Sequence, residues 1–162
     1  MTSLSLTHPE REQAFHSNRR KWLLIGPGLL VALALCVYGC TRAVERGARE
    51  GYTMATDLHA AMARQDWDGI YDRADPGYQA VVSKHDSSEM FAGIARKLGT
   101  PLNCQQGGTR VTANTSGDTI ETECQTQFSS GAIATETFVW RKSLTDYRLL
   151  GYHITSTALL TK

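Results

Sequence analysis

Three hydrophobic patterns succeed one another along the chain. From Trp22 to Cys40 it runs WLLIGPGLLVALALCVYGC with no charged side chain. As a helix such a run spans about 28 Å, close to the roughly 30 Å hydrocarbon core of a bilayer. Trp22 and Tyr38 stand near its ends, where amphipathic rings favour the headgroup level, and Gly26-Pro27-Gly28 weakens or kinks its first turns. The pattern predicts a transmembrane helix over 22–40; a buried core helix is the alternative, disfavoured because a whole soluble domain follows. Residues 1–21 are polar, aperiodic and closed by Arg19-Arg20-Lys21, which reads as a disordered tail.

The second pattern is helical. Thr41 to Arg64 is rich in helix formers and places Tyr52, Ala55, Leu58, Ala61 and Met62 on one stripe, an amphipathic helix leaving the membrane. Within it 41–51 reads as a linker or helix extension, and a soluble domain as 52–162. Gly47 and Gly51 form a small-xxx-small pair outside the apolar run, where a linker or helix break is favoured over a dimer contact. Gln65 to Tyr71 reads as a short second helix, Asp75-Pro76-Gly77 as a turn, and Tyr78 to Lys84 is ambiguous. Asp86 and Glu89 have capping-box spacing, Met90, Phe91, Ile94, Ala95 and Leu98 share a face, and Gly99 stands at the stop, which predicts a helix over 86–99.

After Pro101 the period falls to two. Ile120, Thr122, Cys124, Thr126 and Phe128 alternate with Glu121, Glu123, Gln125 and Gln127, the mark of a half-buried strand. Asn114 to Asp118 is the turn from an earlier strand near Thr109–Ala113, and further strands are predicted near Ile133–Lys142 and Tyr147–Ser156. The sum is an α+β fold: a transmembrane helix, then helices packed on a four-stranded antiparallel sheet.

Charge and cysteine usage sharpen this picture. With 17 Lys+Arg against 16 Asp+Glu there is no overall field to draw in nucleic acid. Arg11, Arg19, Arg20 and Lys21 before the apolar run face Arg42, Arg46 and Arg49 after it, so the positive-inside comparison leans toward a cytoplasmic N-terminus and a periplasmic C-terminal domain at the bacterial inner membrane. Val37-Tyr38-Gly39-Cys40 also resembles a lipoprotein cleavage box, in which Cys40 carries the lipid; both tethers put the domain outside the cytoplasm. Cys104 and Cys124 are the cysteines of the domain, and they flank a hairpin. A disulfide closing that loop is the favoured reading, two buried thiols the alternative. No Cys or His stands at ligand spacing from either, so no metal site is expected.

Gln65-Asp66-Trp67-Asp68 with Ile70-Tyr71, Arg96-Lys97-Leu98-Gly99, and Glu136 to Trp140 paired with Tyr147 to Tyr152 carry a resemblance over about 52–156. The chain resembles the cone-shaped fold of the nuclear-transport-factor-2-like and cystatin-like superfamily, in the form found in membrane-anchored bacterial families. That resemblance implies a conical cavity between helices and sheet. Inward-facing polar or aromatic candidates for it are Tyr71, Tyr78, Glu136, Trp140, Tyr152 and His153.

Catalytic signatures are missing from the sequence: there is no Gly-rich phosphate loop, no G-x-S-x-G elbow and no H-E-x-x-H pair. His59, His85 and His153 are isolated; a dyad of His153 with Asp66 or Asp68 is weighed against a structural His153. His85-Asp86 reads as a helix cap, Glu121 and Glu123 as a solvated strand face, and Asn114-Thr115-Ser116 as a chance glycosylation match. No catalytic, cofactor or metal residue is assigned. The expected function is a non-catalytic binding or accessory module of the cell envelope, held at the lipid bilayer and meeting another envelope protein or a small ligand. The alternative is a small cavity enzyme of isomerase or hydrolase type.

Overall fold

A computed structural model describes the backbone of residues 10–113 and 117–160, with the side chains of 10–32, 40 and 43 left aside. The first nine residues of the expected tail, the Asn114-Thr115-Ser116 pattern, and the side chains of Cys40 and of positions 22–32 therefore lie outside the described residues. The chain divides into two compact units, Met1–Arg42 and Ala43–Lys162.

Helix α1, Glu10–Ala63, runs through the first unit and into the second. In the first unit Leu33, Leu35, Val37 and Tyr38 are all exposed, and the Arg42 guanidinium lies over the Tyr38 ring at 5.0 Å. Among the described residues no helix is long and apolar enough to cross a membrane.

The second unit is α+β. The end of α1 is followed by α2 (Trp67–Asp72), α3 (Pro76–Gln79), α4 (Lys84–Leu98), the strands β1 (Pro101–Thr112), β2 (Thr119–Phe128), β3 (Ile133–Lys142) and β4 (Tyr147–Thr155), and α5 (Thr157–Leu160). The strands form one antiparallel meander in the order β1-β2-β3-β4.

The predicted stripe on α1 is the buried one: Ala55, Leu58, Ala61 and Met62 are in the core and Tyr52 packs against it. Gly47 and Gly51 are not a break. The helix runs straight through them, and they let it lie close on the sheet: a Cβ on Gly47 would meet Val111 Cγ2 at 2.6 Å, and one on Gly51 would collide with the Thr122 hydroxyl.

Helices α2 and α3 are capped by side chains that the sequence places just ahead of them. Asp66 accepts from Gly69 N at 3.1 Å. Asp75 accepts from Gly77 N at 2.7 Å and from Arg141 at 3.1 Å, so the expected turn at 75–77 is the start of a helical turn tied to β3.

Helix α4 starts earlier than its sequence pattern indicates. Ser83, not Asp86, is the N-cap, and it exchanges bonds with Asp86 N and the Asp86 carboxylate at 3.1 and 2.7 Å. Met90 is exposed and Ser87 takes its place on the inner face, because Ser87, Phe91, Ile94 and Leu98 share one stripe at helical spacing and Tyr78 offers Ser87 a hydroxyl at 3.0 Å.

Strand β2 alternates as expected, with Ile120, Thr122, Cys124, Thr126 and Phe128 all buried. Strand β1 begins eight residues before the expected 109. Two irregularities, at Pro101/Asn103 and Gln106/Gly108, break its alternation, and most of its side chains are exposed, so the Gln- and Gly-rich stretch carries no period. Cys104 and Cys124 form a disulfide between these strands, with their Cα atoms 5.3 Å apart.

Candidate functional site

The interior of the second unit holds an ionisable cluster drawn from three elements. His59 sits on the buried stripe of α1, one turn after Ala55. Glu136 stands on the inward phase of β3, in the series Ala134, Glu136, Phe138, Trp140, and Tyr152 is the β4 partner of Phe138. Glu136 is wholly buried. Its Oε2 accepts from His59 Nε2 at 2.8 Å, and its Oε1 accepts from the Tyr152 hydroxyl at 2.6 Å. Burial, followed by the charge of the adjacent Glu136 carboxylate and the hydrogen bond to it, holds the Tyr152 phenol well above its ordinary range. Phe138 packs between the arms of this cluster, 5.7 Å from the His59 ring and 5.3 Å from that of Tyr152, and Phe91 closes over Tyr152 at 5.1 Å. Each carboxylate oxygen thus has a donor, and the surroundings are aromatic.

A cavity of about 140 Å³ lies at the side of this core. Met54, Leu58 and Ala61 of α1, Ile70 of α2 and Leu149 of β4 supply apolar walls. Trp140 lines it from β3, only 4 % exposed, stacked on Phe138 with ring centroids 5.7 Å apart, and its Nε1 has no hydrogen-bond partner. Asp57 and Arg73, both exposed, complete the lining and mark the open side. One Arg73 nitrogen donates to Asp66 at 3.1 Å. A larger groove of about 570 Å³ lies along the outer surface of β1 and β2, lined by Asn103, Gln105, Gln125, Gln127 and Ile133. Its lining amides are exposed, and Gln125 is spent on Thr135 at 2.8 Å, so it presents a wetted sheet surface.

Of the residues singled out from sequence, Glu136 and Tyr152 meet in the buried cluster and Trp140 lines the cavity. Tyr71 stands apart: half-buried, its hydroxyl donates to Gln79 O at 3.3 Å, and its ring faces Tyr78 at 6.3 Å. His153 is on the opposite, exposed face of β4, bonded to the Thr155 hydroxyl at 3.1 Å. The weighed dyad with Asp66 or Asp68 does not form, since Asp66 is taken by Arg73 and Gly69 and Asp68 by Ser88 and Lys84. The reason lies in the strand. Val139 pairs with Gly151 but Trp140 pairs with Leu149, so Leu150 is a bulge, and beyond it Tyr152 and Ile154, rather than Gly151 and His153, point with Leu149 into the core.

His59 was the residue that sequence reasoning passed over. The signal was present: His59 falls on the same stripe as Ala55 and Met62, and Glu136 on the inward phase of its strand. A basic and an acidic group buried on facing elements need one another.

Among the described residues no group of His, Cys, Asp and Glu is arranged to hold a metal ion. Compared with known proteins, the chain matches no family model and no curated protein.

Proposed function

We propose that this chain is a membrane-tethered domain outside the cytoplasm that binds a small ligand or an envelope partner without converting it. One observation carries the binding half of this reading. The groups with acid–base capability, His59, Glu136 and Tyr152, bond to one another in the core, whereas the cavity open to solvent brings together apolar walls, the Trp140 side chain, one carboxylate and one guanidinium. Catalysis by the cluster needs a substrate within hydrogen-bond reach of it. A pocket with apolar walls and a few polar groups is instead the usual form of a ligand site.

The tether and its side rest on other features. The uncharged run from Trp22 to Cys40 has the length of a bilayer core. At its described end Leu33, Leu35 and Val37 are exposed, apolar surface that favours a lipid cover, and the Tyr38 ring with Arg42 upon it suits the headgroup level. The Cys104–Cys124 disulfide supports an oxidising compartment. The order of helices before an antiparallel meander supports the resemblance to the nuclear-transport-factor-2-like and cystatin-like superfamily.

The test is thiol labelling of intact cells with a membrane-impermeant reagent, before and after reduction, on chains in which Cys36 and Cys40 are replaced by Ser. Labelling of Cys104 and Cys124 only after reduction is the expected outcome. Labelling that requires lysis but no reductant sinks the external placement. The intact mass of the mature wild-type chain separates the uncleaved anchor from a form that begins at a lipid-modified Cys40.

A further inference from the structure

We propose that the cavity beside Trp140 takes a free amino acid with an apolar side chain, an assignment that rests on the binding-module reading and names its ligand. Size sets the first limit. A space of about 140 Å³ is close to the roughly 150 Å³ apolar cavity that accepts benzene, and well short of the roughly 300 Å³ and more of sites for drug-sized molecules. One ring or one short side chain fills it.

The polar groups of the lining set the second limit. Arg73 and Asp57 carry opposite charges, and both are exposed at the open side. A purely anionic ligand is drawn to Arg73 and repelled by Asp57, and a purely cationic one meets the reverse. A zwitterion satisfies both, its carboxylate on Arg73 and its ammonium on Asp57. Asp66 occupies one nitrogen of Arg73 and leaves the rest of the guanidinium fork to donate. Among the described residues no ion pair engages Asp57.

Trp140 supplies the third limit, because its side chain lines the cavity beside the apolar walls. The methionine thioether makes favourable contact with an aromatic ring, while Leu58, Ile70 and Leu149 pack its methylenes.

The test uses the full chain in lipid nanodiscs, labelled with 5-fluorotryptophan and followed by fluorine NMR. Trp22 and Trp67 serve as internal references, and Trp140→Phe assigns the reporting line. The probes are L-methionine, 3-(methylthio)propylamine, which lacks the carboxylate, and 4-(methylthio)butanoate, which lacks the ammonium. Saturable movement of the Trp140 line by L-methionine is expected, with each half-charged analogue weaker by about tenfold or more. Arg73→Gln should weaken L-methionine while leaving the amine unchanged, and Asp57→Asn should abolish the preference over the acid. Equal binding of all three probes, binding of one analogue as tightly as L-methionine, or no movement of the Trp140 line at millimolar L-methionine each overturns the zwitterion assignment. Those outcomes leave the binding module in place. Time-dependent product signals from any probe would instead overturn the module reading itself.

Discussion

Glu136→Ala strikes the most demanding contact in the fold. The carboxylate is wholly buried and takes hydrogen bonds from His59 at 2.8 Å and Tyr152 at 2.6 Å. Truncation removes both acceptors and leaves an imidazole N–H and a phenol O–H in an aromatic pocket. Each buried donor left without its acceptor costs about 1–3 kcal/mol, so the two together cost about 2–6 kcal/mol. Small domains hold only about 5–15 kcal/mol in total, so Glu136→Ala should leave a marginal domain. Glu136→Gln keeps the shape and one acceptor but gives up the charge, and at about 1.5–3 kcal/mol for a hydrogen bond to a charged group its cost should be near half as large. The assay is urea unfolding of the full chain in nanodiscs, followed by tryptophan fluorescence, on wild type, Glu136→Gln, His59→Ala and the double variant. Coupling of about 1–3 kcal/mol between the two sites is expected, since they share one bond. The reasoning is refuted if Glu136→Gln lies within about 0.5 kcal/mol of wild type, the range of a surface substitution, or if the two variants simply add.

Three further outcomes follow from the same contacts. Reducing the Cys104–Cys124 disulfide, which spans 20 residues, should cost about 3 kcal/mol in the loop-entropy account, read as a lower urea midpoint with and without reductant. Gly51→Ala should destabilise by about 1–3 kcal/mol through collision with Thr122, less the helix-propensity gain, whereas Gly93→Ala in α4, whose Cβ meets only Arg96 at 3.7 Å, should stabilise by about 0.5–1 kcal/mol; thermal melts of the two variants decide it. Tyr152 has a folded pKa raised above its ordinary 10.0, so its contribution is complete below about pH 10 and is lost as pH climbs toward the folded value; Tyr152→Phe should cost stability at pH 7 and flatten the alkaline fall seen in wild type.

Much of the fold was legible because one face of each element is buried and the other is wet. Strand β2 shows this best: five buried residues alternate with Glu121, Glu123, Gln125 and Gln127, and a one-residue slip would bury those charges and amides. The stripe on α1 was legible for the same reason. Where the elements are not two-faced, the reading failed. Most of β1 is exposed on both faces and is interrupted by two irregularities, so its polar residues look like loop. Gly47 and Gly51 have no side chain with which to announce a face, and their packing against Val111 and Thr122 becomes visible only when helix and sheet are brought together.

The site was legible on each element singly and not at the joints. Glu136 and Trp140 follow from the inward phase of β3, and His59 could have been found from the phase of α1, because an ionisable group on an apolar stripe requires a partner across the core. Strand β4 is different. Strict alternation from Leu149 puts Gly151 and His153 inside, and only the bulge at Leu150 reverses the phase and delivers Tyr152 to Glu136. Nothing local in Leu149-Leu150-Gly151 marks that bulge. It is set by the whole core, in which Phe138, Phe91 and the Glu136 carboxylate surround an aromatic ring with a hydroxyl at its tip. Gly151 does not set it, since a Cβ there would meet Val139 only at an ordinary 3.7 Å. Tyr152 therefore reaches Glu136 through the pairing of β4 with β3, Gly151 opposite Val139 and Leu149 opposite Trp140, and that register is a property of the assembled sheet rather than of the strand's own sequence.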